Sequence, residues 1–290
     1  MFSWKNTLTC LLSSFVLVAC GGGSSSSTPS NGSTANQPVT LPATSAGFAG
    51  IWTGSYSNLN FSSTGSTVVA GTRIDLSAPS SAIALSDGAS QVHILYNNAS
   101  NLLAGSFSAP AGTSTLTITA PTVYYFNTTN FTDGPFTGSL IPKKSFSGQW
   151  NIKSGTGSLS FDKPFISVSY DSTSTMAANL PSVSGTFVNT AGGGTLTVNT
   201  TGGISGVIGA CKITGSASTS NPAVNVYATS LTMSTNTSAS ACALNGFTTS
   251  GLSALVPSTT GTVTSAYFVL STFNVVGAQA ARMAGAFKKI

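Results

Sequence analysis

One histidine stands in the 290 residues, and any catalysis by an imidazole base has to use it. His93 lies in "QVHILY" (91–96). A serine hydrolase would set it between a nucleophilic hydroxyl and an orienting carboxylate, for which Asp87 and Asp75 are the nearby candidates. No Gly-x-Ser-x-Gly elbow in a strand-to-helix setting supplies the nucleophile. The alternation of the segment puts Val92, Ile94 and Tyr96 on one face and Gln91, His93 and Leu95 on the other. His93 therefore reads as a solvated or partly packed strand residue, histidine being intermediate in burial.

Carboxylate chemistry is equally thin. Glutamate is absent, and the acids are Asp75, Asp87, Asp133, Asp162 and Asp171. Glycoside hydrolysis needs two carboxyl groups facing each other across a cleft, and nothing in the spacing pairs these five. "TDGP" (132–135) and "SDG" (86–88) read as turns, where Asp bonds its own backbone and Gly takes positive φ. A calcium loop would need a denser set of oxygen ligands. A tetrahedral metal site needs more than His93 with two cysteines. The expectation is no catalytic residue, no metal and no cofactor.

Aromatic residues are the other candidates. "TVYYFN" (122–127) places Tyr124 and Phe126 on one strand face and Tyr125 on the other, and Trp52, Phe146 and Trp150 stand at strand beginnings. A barrel lined this way would hold a small apolar ligand or would simply fill itself. Eight-stranded barrels are often just wide enough for their own side chains, which favours filling.

The elements that must position these residues are strands. Only 5% of residues are charged, against about a quarter in ordinary domains. Ser, Thr, Gly and Asn carry the polarity, which suits a sheet face better than the wet face of a long helix. "STLTITA" (114–120), "GSLSFD" (157–162), "FISVSYD" (165–171), "GTLTVNT" (194–200), "AVNVYATSLTMS" (223–234) and "SAYFVLSTFNV" (265–275) alternate apolar with polar residues. That is the pattern of antiparallel sheets with one dry face. Turn-rich breaks every ten or so residues point to a sandwich or barrel. "VVGAQAARMAGAF" (275–287) has helical composition, but Gly277 and Gly285 weaken it. It reads as a turn or one helical turn followed by a closing strand. The ten Lys and Arg give a net charge of +5 but are scattered, so no nucleic-acid face is expected.

"SGQWNIKSGTGSLSFD" (147–162) aligns without gaps to "SGTFVNTAGGGTLTVN" (184–199), and "FAGIW" (48–52) repeats the opening phrase. Each copy sets a Gly two residues before an aromatic, as a tightly bending strand start would want. "STSTMAANLPS" (172–182) is small, polar and Pro-punctuated, and marks a boundary.

The N-terminus gives an address. Lys5 and the apolar "LTCLLSSFVLVA" (8–19) read as a secretory signal, too short to span a bilayer as a mature helix. "LVAC" (17–20) resembles the lipobox of bacterial lipoproteins. The resemblance implies cleavage before Cys20 and lipidation of its thiol and new amino group. Residues 21–46 lack the apolar content to pack and read as a flexible leash. Stretched, it would reach about 85–90 Å; as a coil it would average roughly 28 Å. Gly21 stands where an Asp would favour inner-membrane retention in enterobacterial lipoproteins, so the resemblance implies the outer membrane. Cys10 leaves with the signal. Cys211 and Cys242 remain, and in an oxidising compartment a disulfide is the default. It would close a loop of about 30 residues, worth about 3–4 kcal/mol.

"YDSTSTMAANLPSVSGTF" (170–187), "GTLTVNTTGGISGVIGACKITGSAS" (194–218) and "SACALNGF" (240–247) resemble a set of proteobacterial outer-membrane lipoproteins, mostly of unknown function. In those chains two tandem small β-barrel-like domains follow the lipobox. The second carries a phrase matched here by Gly194, Leu196, Gly206, Cys211 and Gly215, with a later Cys matched by Cys242. The fold expected is thus all-β: two small antiparallel barrel or sandwich domains after a lipoprotein signal and a disordered Gly/Ser tether. The expected division is signal 1–19, lipidated Cys20 and linker 20–46, first domain 47–172, and second domain with disulfide 173–290. The function expected is a non-enzymatic envelope lipoprotein that binds or supports another molecule, protein or small apolar ligand. It would meet the membrane through Cys20 and bind no nucleic acid. The alternatives are a carrier of an apolar ligand in a barrel interior and, behind it, a secreted hydrolase using His93.

Overall fold

Alternating apolar and hydroxyl side chains leave a strand one dry face, and a sheet that curls shut hides all its dry faces together. This chain does so twice. The computed structural model describes residues 47–290 apart from 63–64, 71–73, 76–78, 81, 97–100, 111, 127–130, 152–162, 190–192, 237–240, 261–262 and 277–278. The signal, Cys20, the tether and "GSLSFD" lie outside the described residues, wholly or nearly so.

The first barrel begins with β1 (Gly50–Ser62), followed by β2 (Gly65–Ala70), the short pair β3 (Ile74–Asp75) and β4 (Pro79–Ser80), then β5 (Ala82–Ser86), β6 (Gln91–Tyr96) and β7 (Asn101–Ser106). It ends with β8 (Leu116–Phe126), β9 (Phe131–Ile141), β10 (Ser145–Trp150) and β11 (Lys163–Tyr170). Strands β1 and β5–β11 form an antiparallel sheet that closes when β11 pairs with β1, Trp52 opposite Tyr170. β2 pairs with β1 outside this circuit.

The second barrel is β12 (Gly185–Asn189), β13 (Gly194–Val198), β14 (Gly203–Ile208), β15 (Cys211–Thr219), β16 (Tyr227–Thr235), β17 (Thr248–Thr260), β18 (Val263–Val276) and β19 (Gln279–Lys289). It is closed in sequence order, with β19 returning to β12. β18 and β19 form a hairpin, so the Ala-rich closing segment is strand. Its small residues leave it extended because pairing on both sides outweighs a weak helix preference.

In both barrels apolar residues point in. On β13 Leu196 and Val198 are buried while Thr195 and Thr197 are exposed. A barrel in lipid would need the reverse order, apolar outward. No helix among the described residues is long and apolar enough to cross a membrane.

Between the barrels lie a 3-10 turn (Ser172–Thr175) and α1 (Leu180–Val183). Ser174 Oγ accepts the Ile51 amide at 2.7 Å and donates to the Ile51 carbonyl at 2.8 Å. Asp171 caps the turn by accepting the Thr173 amide at 2.8 Å. The Tyr227 hydroxyl accepts the Asn179 amide and donates to the Asn179 carbonyl. The connector is thus fastened to both barrels.

Two sequence readings need correction. "TDGP" is inside β9, with Asp133 opposite Tyr124 and Gly134 opposite Val123, beside a bulge at Ala120/Val123. The bulge absorbs the irregularity that the Asp-Gly-Pro run signals, so no turn is needed. Trp150, expected at a strand beginning, is the last residue of β10. The equivalent starts in the two barrels are "AGIW" and "SGTF": Gly50 and Gly185 take φ of 137° and 147°, and each precedes an inward aromatic, Trp52 or Phe187, by two residues.

Candidate functional site

A carrier would hold its cargo in a barrel interior. In the first barrel one register row runs Trp52, Ala84, Ile94, Leu103, Tyr125 across five strands. Phe136, Phe146 and Trp150 fill the space beyond, all essentially without solvent exposure. Tyr125 and Trp150 lie 4.9 Å apart between ring centres, and Phe48 packs edge-on to Phe146 at 5.2 Å. Each indole finds a carbonyl: Trp52 Nε1 donates to Phe48 and Trp150 Nε1 to Val123. Rings occupy the room a ligand would use.

Outside the first barrel, β5, β6 and β7 break the alternation. The next register row runs Ile51, Leu85, His93, Ala104, Tyr124 and faces outward. Four of these five are buried, Tyr124 being partly so. The cover is the second barrel. Leu252, Ala254, Val256, Tyr267 and Val269 on β17 and β18 belong to the same buried cluster as Leu85 and Leu95. The two barrels share an apolar seam.

His93 sits in that seam, 1% exposed, and this corrects the reading of a solvated or partly packed residue. Its neighbours explain why: in "AIALS" and "NLLAGS" both strand faces are apolar, the mark of a strand covered on both sides. His93 Nδ1 lies 2.9 Å from Ser271 Oγ, and its ring is 5.4 Å from that of Phe273. A methyl group on Gly251 would come within 2.6 Å of His93 Cε1, so the imidazole needs a glycine beside it. Burial pushes the His93 pKa down to about 4, and a weaker hydrogen bond to Ser271 opposes the shift. The ring is neutral at pH 7.

Ser271 is itself fully buried. Asp87 is not turned toward the pair, since its Oδ1 accepts the amides of Ala89, Ser90 and Gln91 in the turn expected there. Asp171 spends its oxygens on Thr173 and Thr53. Among the described residues no three His, Cys, Asp or Glu gather as a metal site. The side chains of Asp75 and Asp162 lie outside the described residues.

Above His93 the seam opens into a cleft of about 450 Å³. Gln91, Ser106 and Thr122 line it from the first barrel, Ser250 and Phe273 from the second, with Tyr124 forming an aromatic wall. The Tyr124 and Phe273 ring centres are 5.7 Å apart. No charged side chain is among the lining groups. In register, Asp133 stands opposite Tyr124 and Arg282 opposite Phe273; neither lines the cleft. Sequence reasoning placed Tyr124 and His93 on strands but did not bring them together. The loss of alternation across 82–104 was the signal that this surface is covered.

Cys211 and Cys242 form the disulfide, their Cα atoms 4.8 Å apart. It joins the start of β15 to the loop that precedes β17. Comparison with protein-family models, with curated proteins and with solved structures returned no match. What defines the molecule is its architecture: two closed eight-stranded barrels, tightly joined, with a neutral cleft at the join.

Proposed function

We propose that the protein is a non-enzymatic lipoprotein of the cell envelope, held to the outer membrane through Cys20, whose paired barrels present the seam cleft as a binding surface. The single observation that carries the binding reading is the chemistry of that cleft: hydroxyl, amide and aromatic groups over a neutral, buried histidine. Acid–base or nucleophilic catalysis needs a titrating group or an exposed nucleophile. His93 is buried, the hydroxyl it meets on Ser271 is out of reach of solvent, and Asp87 is turned away from the pair into its own turn. The filled interior of the first barrel supports binding outside the barrels over carriage within them. The anchor rests on "LVAC" and the Gly/Ser run after it. Several acyl chains would hold firmly, since each buried methylene adds about 0.8 kcal/mol.

Cells fed an alkyne palmitate should label the protein, and Cys20→Ser should abolish the label. An unlabelled wild-type chain would remove the anchor from the reading.

A further inference from the structure

We propose that the seam cleft binds a neutral saccharide, of one or two sugar rings, with Tyr124 and Phe273 as its aromatic platform. This deepens the binding reading above and rests on it, but it is independent of the lipid anchor.

Three features of the cleft select this ligand class. The first is size: about 450 Å³ lies toward the lower end of the roughly 300–1,000 Å³ typical of small-molecule sites. The second is polarity. Gln91, Ser106, Thr122 and Ser250 supply donors and acceptors of hydrogen bonds without a formal charge. A charged ligand would lose hydration there and meet no opposite charge. A purely apolar ligand would leave these groups unpaired, at a cost of about 1–3 kcal/mol for each one buried. A polyhydroxyl ligand exchanges its water bonds for theirs. The third is the platform. A sugar ring has an apolar face of C–H groups and a polar edge. An aromatic ring offers a flat apolar face with negative charge density, which suits those C–H groups.

Rigidity adds to the case. The lining comes from strands of both barrels, and the seam below is apolar and continuous. A site on strands is held more exactly in place than one on loops, so less ordering cost falls on binding.

The full-length protein is titrated calorimetrically with maltose, cellobiose and N,N′-diacetylchitobiose, and each mixture is checked for cleaved sugar. At least one disaccharide should bind with a dissociation constant of about millimolar or tighter. The affinity should be unchanged by salt and between pH 8 and pH 6, because the cleft carries no charged side chain and its imidazole is already neutral across that range. Tyr124→Ala and Gln91→Ala should each weaken binding by about tenfold. Ser106→Trp, at an exposed position on the cleft wall, should block it while leaving the thermal unfolding profile intact. Absence of heat and of any saturation-transfer signal with all three sugars overturns the proposal. So does binding that survives both Tyr124→Ala and Ser106→Trp. Cleavage of a bound sugar would leave the ligand class standing and overturn the non-enzymatic reading instead.

Discussion

The two barrels have the same strand number and the same antiparallel order, yet they are filled differently. The first is packed with rings: Trp52, Tyr96, Tyr125, Phe136, Phe146 and Trp150 are all nearly or fully buried. The second relies on a leaner set, Leu196, Val198, Ile213, Leu231, Met233 and Leu270, around Phe187, Phe268 and Phe287. It also buries hydroxyl pairs. Thr249 bonds Thr272 at 2.8 Å, and Thr229 bonds Ser253 at 2.7 Å. Such pairs satisfy each other but add little net stability, about 1 kcal/mol each. The second barrel also carries the disulfide. The comparison teaches that one shape can be held by bulk or by a covalent staple.

Truncating the bulk should cost most. Trp150→Ala removes a fully buried indole and leaves the Val123 carbonyl without its donor. A loss of about 3–5 kcal/mol is expected, read as a lower denaturant midpoint followed by the fluorescence of Trp52. A loss below about 1 kcal/mol would show that the aromatic filling is not what holds the first barrel. Removing the staple comes next. Cys211→Ser with Cys242→Ser opens a link spanning 31 residues, and a loss of about 3–4 kcal/mol should follow. If the barrels contribute separately, hydrogen exchange should rise in β15 to β17 before it rises in β8 to β10.

The join between the barrels should respond to acid. His93 titrates near 4 in the folded protein, below its ordinary value of 6.5. As pH falls from 6.5 to about 4, the unfolded chain takes up a proton that the folded chain refuses. This group's share of stability is therefore full above pH 6.5 and is lost across that window, reaching about 3 kcal/mol. Urea midpoints measured from pH 7 to pH 4 should fall, and His93→Gln should flatten the fall. An equal slope in His93→Gln would assign the acid response elsewhere.

Much of the barrel architecture was legible because period-2 patterning survives in single strands such as "STLTITA" and "GTLTVNT". The disulfide was legible from parity and from the oxidising compartment that the leader-like N-terminus implies. The seam was not, for a physical reason. A strand buried on both faces loses the alternation by which a strand is recognised as half-wet, so "AIALS" and "NLLAGS" carry no statement of what covers them. His93 inherited a solvent-facing reading from an alternation that ends at its own strand. Tyr124 and Phe126 were correctly placed opposite Tyr125, but the partner they meet, Phe273, is far along the chain. Register between distant strands is set by closure of each barrel and not by local pattern.

The separation of the seam's two sides in sequence governs the order of assembly. Ser271 follows His93 by 178 residues. A nascent chain that has closed its first barrel still shows the greasy strip of Leu85, Leu95, Leu102 and Ala104 to whatever surrounds it. Such transient exposure invites aggregation. A chaperone, or delay of folding until the whole chain has been made, would keep that strip from finding the wrong neighbour.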